Sequence, residues 1–258
     1  MALVRTVTDA GVATLTLDSP ANRNALSTPL MRELLDSLSE ALTDTSVRVV
    51  VLSHTGKVFC SGADLKETAE ARANGRVPAE MIADVLAALW EFPKPIVARI
   101  AGPARAGGLG LIAAADIAVC AREATFAFSE VRLGVIPAVI SATVLPRLSP
   151  RAAAELYLTG DVFDGSRAAE IGLVSAAVPA EDLDDTVRRY CDSLVLGGPL
   201  ALAGTKQLLR RTPIRGELAE LARRSAGYFR SAEGREGMTA LREKRPANWV
   251  PAAPASDG

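Results

Sequence analysis

Three short segments of the chain combine glycine, small residues and polar groups in a way that a plain hydrophobic core does not require. The first is Phe59-Cys60-Ser61-Gly62-Ala63-Asp64-Leu65, where Gly62 permits an unusual turn and the amide of Ala63 is expected at a helix start. The first amides of a helix have no intrahelical acceptor, so they can receive a negatively charged oxygen. The second is Ala106-Gly107-Gly108-Leu109-Gly110, again between an expected strand and an expected helix. Two approachable amides of this kind, facing one point, would form an oxyanion hole. Alone, each glycine turn more often serves only to turn the chain; together they carry more weight. Neither has the Gly-x-x-x-x-Gly-Lys-Ser/Thr spacing of a phosphate loop or the Gly-x-Gly-x-x-Gly spacing of a dinucleotide binder, so nucleotide hydrolysis and hydride transfer are unsupported.

The third segment, Phe126 to Pro137, sets one carboxylate, Glu130, inside a strongly apolar run. Apolar surroundings raise a carboxyl pKa toward neutrality and suit it to general acid/base work. The alternative is a structural ion pair with Arg132 or Arg147. The only histidine, His54, ends an expected strand, and the chain has no Gly-x-Ser-x-Gly elbow. A histidine-based hydrolase is therefore disfavoured, and His54 reads as a hydrogen-bonded structural residue.

These segments need elements to hold them. Val4 to Thr8 and Gly11 to Asp18 alternate like two strands of a hairpin. From Thr28, Leu30, Leu34, Leu38 and Leu42 recur every four residues behind Pro29, which predicts an amphipathic helix. Val47 to Ser53 reads as a buried strand, followed by a Gly-containing loop and a helix over Gly62 to Ala71. A second strand, loop and helix run from Ile96 through Gly102-Pro103 into Gly107 to Ala115, and a further strand spans Asp116 to Cys120. Such alternation implies an α/β layered fold. Beyond Pro150 strand signals thin out, and helices are expected around Leu183 to Val195, Pro199 to Arg211, Leu218 to Phe229 and Glu233 to Lys244, before a Pro-rich tail from Pro246 to Gly258. Two placements fit this helical end: against a second subunit, or as a further layer on its own core.

At 258 residues, with 49% hydrophobic and 23% charged residues, the chain can bury a substantial core, which excludes disordered and fibrous classes. Its net charge of -1 offers no overall field for nucleic acid or an anionic membrane. The longest uncharged apolar stretch, Ala106 to Ala115, is far shorter than the roughly 18 residues of a membrane span, and the first residues lack the pattern of an export signal. Cys60, Cys120 and Cys191 are widely separated and have no metal-ligand spacing, so neither a disulfide framework nor a zinc site is expected, and the reading is a reducing, cytoplasmic protein.

Taken in order, these segments resemble the enoyl-CoA hydratase/isomerase family, also called the crotonase family. The resemblance runs from Asn22-Arg23-Asn24-Ala25-Leu26-Ser27 through Phe59 to Lys66, Gly107 to Asp116 and Ser129 to Pro137, and ends at Glu243-Lys244-Arg245-Pro246. It implies an α/β spiral of repeated β-β-α units in residues 1–195, binding acyl-CoA, and a helical oligomerisation region in 196–258 that builds homotrimers, commonly paired into hexamers. The implied partner is an acyl-CoA thioester, with its carbonyl oxygen on the amides of Ala63 and Gly107. Arg23, Asn24, Ala25, Leu26, Ala63, Asp64, Leu65, Lys66 and Lys244 are expected near the CoA moiety, the lysines and Arg23 as cations, with solvated surface charge as the alternative. No metal or redox cofactor is implied, coenzyme A being part of the substrate, and neither nucleic acid nor membrane is an implied partner.

The sequence departs from the family pattern at two points. Hydratases with two carboxylates carry one glutamate on the helix after the glycine turn and another in the later segment. Glu130 matches the second, whereas the first falls at Gly110, and Ala106 replaces the first glycine of the common Gly-Gly-Gly run. Water addition thereby loses one proton partner, while a double-bond shift needs only one carboxylate. Against this, Ser129 to Ser141 resembles a hydratase branch acting on branched acyl-CoAs. The first expectation is therefore an enoyl-CoA hydratase with Glu130 as acid/base; the second is an enoyl-CoA isomerase, and the third a catalytically weak acyl-CoA-binding homologue. Pocket walls are expected around Met81 to Trp90 and Val139 to Val144.

Overall fold

The computed structural model describes residues 2–64, 66–68, 79–210 and 214–250. Two strands, β1 (Val4–Asp9) and β2 (Val12–Leu17), form the expected hairpin, with Ala13, Leu15 and Leu17 buried on the inner face of β2. Helix α1 (Thr28–Thr43) begins where Ser27 Oγ accepts from the Leu30 amide and Pro29 occupies the first turn. Its buried stripe is Leu30, Met31, Leu34, Leu38 and Ala41, while Leu42 is exposed. A strict four-residue spacing advances about 400° per step on a helix of 3.6 residues per turn, so by its fourth member it has rotated off the face, and Ala41 takes that place.

The strand β3 (Val49–His54) is buried throughout, as its run of Val and Leu requires. After it come α2 (Ala79–Glu91), β4 (Ile96–Ile100), the two-residue β5 (Ala104–Arg105), α3 (Gly107–Ala114) and β6 (Ile117–Ala121). The main sheet has the order β1-β2-β3-β4-β6-β9, with β9 (Ala176–Val178) on its edge, and every pairing after β1–β2 is parallel. Parallel strands covered by helices on their faces favour near-continuous apolar sequence, which explains why β3, β4 and β6 are legible. A second sheet has the order β5-β7-β8, where β7 is Thr125–Ala127 and β8 is Phe163–Asp164. Strands β8 and β9 correct the expectation that strand structure fades beyond Pro150: both are two or three residues long, too short to show an alternation.

A 3-10 turn over Ser129–Leu133 follows β7 and ends at Gly134, whose φ of 66° is left-handed. Then come α4 (Ala138–Val144), α5 (Pro150–Thr159), α6 (Gly165–Glu170), α7 (Leu183–Val195), α8 (Pro199–Leu209), α9 (Arg215–Arg230) and α10 (Ala232–Glu243). Helix α9 packs on α2 and α4 of its own chain and buries Leu218, Ala222 and Ser225. Helix α8 is tied down by charge. Asp116, which also accepts from the Ile96 amide at 2.8 Å, receives Lys206 at 2.6 Å and Arg210 at 2.7 Å. The Arg147 and Arg210 guanidiniums both lie over the Trp90 ring and donate to carbonyls at the C-terminal end of α3. Among the described residues no helix is long and apolar enough to cross a membrane. All three cysteines are free and buried.

Candidate active site

The site is assembled where the loop 59–64 is clamped between two other segments. On one side Cys60 forms a parallel bridge with Ala104; on the other Ala63 bridges Leu26. The Leu26 amide donates to the Gly62 carbonyl at 2.8 Å, and the Ser61 amide donates to the Arg23 carbonyl at 3.1 Å. Gly62 has φ of +88°, and a β-carbon there would lie 2.9 Å from Ala106 Cβ and 3.4 Å from the Gly107 nitrogen. Only glycine meets both demands, left-handed backbone and close approach. A β-carbon built on Gly107 would in turn lie 3.8 Å from the Ala63 nitrogen, so the two amides are neighbours. Gly107 is the first residue of α3, and neither its amide nor that of Ala63 has an acceptor among the described residues.

Ala63 itself corrects one expectation: it sits on a bridge, not at a helix start. Of the helix expected over Gly62 to Ala71, residues 65 and 69–71 lie outside the described residues; 66–68 are helical, and Asp64 accepts from the amides of Lys66 and Glu67 at 3.0 and 3.1 Å. The Ala63 amide is unpaired because the strand-like bridge leaves every second amide outward.

Glu130 lies in the 3-10 turn and is buried, 8% exposed. Burial pushes its carboxyl up to about 7, and its Oε2 has no hydrogen-bond partner among the described residues. The ion-pair alternative does not occur: Arg132 pairs with Asp161 at 2.6 Å, and Arg147 is spent on the Ala113 and Ala115 carbonyls. Glu130, Ala63, Ala106 and Gly107 line one cavity of about 520 Å³, part of it open to solvent. Its other walls are Thr68, together with Ala79 and Ile82 of α2, Ile136 to Ile140 at the start of α4, and Ser225 and Phe229 of α9. The expected walls are thus found at Ile82, Val139 and Ile140. The contribution of α9 was not legible, because only the tertiary fold brings residue 229 back to residue 63.

Gly110 is more than a missing carboxylate. A β-carbon there would lie 2.7 Å from Ile140 Cγ2 and 3.2 Å from Leu86 Cδ2, so hydrocarbon fills the place a longer side chain would need. Ala106 has φ of 47° and ψ of -118°, a conformation that costs any residue with a β-carbon. His54 proves structural: its Nε2 accepts from the Ala101 amide at 3.1 Å, its ring meets Phe59 edge-on, and burial lowers its pKa.

The residues expected near a CoA moiety divide. Asn24, Ala25, Leu26, Ala63 and Asp64 are brought together by the clamp described above. The Asn24 side chain is fully buried, donating to the Thr55 and Val58 carbonyls and accepting from the Ser19 amide, so it holds the loop. Arg23, Lys66 and Lys244 are exposed, and none lines the cavity; Lys244 ends α10 in a left-handed conformation. Leu65 lies outside the described residues.

Residues 7–251 match the family described as enoyl-CoA hydratase/isomerase. The chain is 32% identical to the 2,3-dehydroadipyl-CoA hydratase of Escherichia coli over 92% of its length and 94% of that protein. It is also 32% identical to the peroxisomal Delta(3,5)-Delta(2,4)-dienoyl-CoA isomerase of Arabidopsis thaliana, over 81% of each chain. The crystal structure of an enoyl-CoA hydratase from Mycobacterium avium superposes with a TM-score of 0.87 at 44% identity, covering 97% of this chain and all of that one.

Proposed function

The chain belongs to the enoyl-CoA hydratase/isomerase family, and from that premise we propose that it binds an enoyl-CoA thioester and moves a proton on its acyl chain with Glu130. The thioester oxygen rests between the amides of Ala63 and Gly107. Removing a proton next to the thioester carbonyl places negative charge on that oxygen, and fixed donors stabilise this charge more than the neutral ground state. Glu130, ionised, takes the proton from C2 of a 3-enoyl-CoA; the neutral acid then returns it at C4, leaving the conjugated 2-enoyl-CoA. A carboxyl near 7 is matched to both halves of this exchange.

The observation that favours a double-bond shift over hydration is the filled space at Gly110. Ile140 and Leu86 occupy the space a side chain at position 110 would need, and Glu130 is the only carboxylate among the described cavity walls. This reverses the order expected from sequence. Hydration stands as the second reading, because a hydratase and an isomerase are both among the similar proteins and the Mycobacterium avium structure is of an enoyl-CoA hydratase. The choice of substrate separates them. With a short 3-enoyl-CoA, absorbance of the conjugated thioester should rise; if instead only 2-enoyl-CoA is consumed and its absorbance falls, hydration is the reaction.

A further inference from the structure

Two buried polar atoms on elements that pack together lack hydrogen-bond partners among the described residues. One is Glu130 Oε2. The other is the hydroxyl of Tyr157 on α5, which is sealed from solvent and has no hydrogen bond of good geometry among the described residues. Helix α5 packs directly on the 3-10 turn that carries Glu130, and the Tyr157 ring packs at a tilt against Phe128, two residues before the glutamate, at 4.5 Å between centroids. Besides burial, the Ser141 side chain within hydrogen-bonding reach and then the charge of Glu130 act on the Tyr157 phenol, and the glutamate's charge holds the phenol proton on. Ser141 Oγ donates to the Pro137 carbonyl at 2.7 Å, so its own proton is committed.

A buried hydroxyl left unpaired costs free energy, and so does a buried carboxylate oxygen, yet phenylalanine at 157 would keep the ring packing without the cost. We propose that Tyr157 is a positioning residue for Glu130, its phenolic hydroxyl donating to the Oε2 side of the carboxylate whenever Glu130 is ionised. The neutral acid has less need of the donor, so the contact tightens and loosens with each proton transfer, and the other oxygen is left to face the substrate. This rests on the reading of Glu130 as the proton carrier. Among the described residues, the cations beside the turn are already paired. Arg132 is held by Asp161 beside the turn, Arg167 by Glu155 and Glu170 across α5 and α6, and Arg245 by Glu236 on α10, the third element packed on the turn.

The test is Tyr157→Phe, with Glu130→Gln as reference. Loss of a donor to the ionised form raises the carboxyl pKa. The acid limb of kcat/KM should therefore move up by about one pH unit, giving about five-fold loss at pH 7 and near recovery at pH 9. A structural role alone would lower activity evenly across pH. An unmoved limb together with a higher melting temperature would overturn the proposal, since the hydroxyl would then be only an unpaired burden. Carboxyl 13C titration of Glu130, located by its absence in Glu130→Gln, reads the same shift without turnover. If Glu130→Gln keeps full activity, the function proposed above fails, and the titration still decides whether Tyr157 tunes the carboxyl. Should Tyr157→Phe not fold, 3-fluorotyrosine in the wild-type chain supplies a stronger donor. The limb should then move down, and an unchanged limb would overturn the proposal.

Discussion

Glu130 is the residue on which most depends, and its burial has a consequence for stability as well as for rate. Its carboxyl binds a proton more tightly in the folded chain, near 7, than at its ordinary value of 4.5. Between those values the unfolded chain has lost the proton and the folded one keeps it, so the contribution to stability declines as pH rises through this window. Glu130→Gln should therefore melt at the same temperature as wild type below pH 4.5 and higher above pH 7, which calorimetry at the two pH values can check. Ala106 gives a second prediction. Replacing it by glycine relieves a left-handed backbone and should stabilise the fold by about 1 kcal/mol in chemical denaturation. Gly107→Val gives a third: its β-carbon would meet Leu26 Cδ1 at 2.8 Å, displacing the amide and lowering kcat/KM by about 10²-fold or more. The sequence showed Glu130, Gly62 and Gly107 plainly, because an isolated acid in an apolar run and glycines at turns are local signals. Tyr157 was invisible there, since nothing local marks a tyrosine whose partner lies 27 positions earlier.

At the scale of elements, α1, β3, β4, β6 and the C-terminal helices follow from periodicity, whereas β5, β7, β8 and β9 are too short to announce themselves. Those short strands matter, because the contacts of Cys60 with Ala104 and of β5 with β7 bring the two glycine loops and the Glu130 turn to one cavity. The attachment of α8 was equally hidden. Asp116 neutralises two buried cations from residues 206 and 210, and burial lowers the Lys206 pKa to about 8 even with this partner. Asp116→Asn leaves Lys206 and Arg210 without a buried counter-charge and should cost about 3 kcal/mol, measured by denaturant unfolding. Helix α9 forms a wall of the cavity through Ser225 and Phe229. Phe229→Ala should enlarge that wall and move the preference toward longer or branched acyl chains, seen as a change in relative kcat/KM across a chain-length series.

At the scale of the whole molecule, the six-stranded sheet and its helices account for one continuous core, while Leu196, Leu200, Leu208 and Leu209 remain exposed in and beside α8. Exposed leucines in such number suit burial between subunits, and the trimer proposed from the family resemblance would provide it; light scattering at micromolar concentration should give three times the monomer mass. The central claim, that one carboxylate carries the proton, is tested most directly by following the absorbance of the conjugated thioester when a short 3-enoyl-CoA is mixed with wild type and with Glu130→Gln. The expected result is a rise with wild type and a rate lower by about 10³-fold with the variant. An equal rate in both would contradict it.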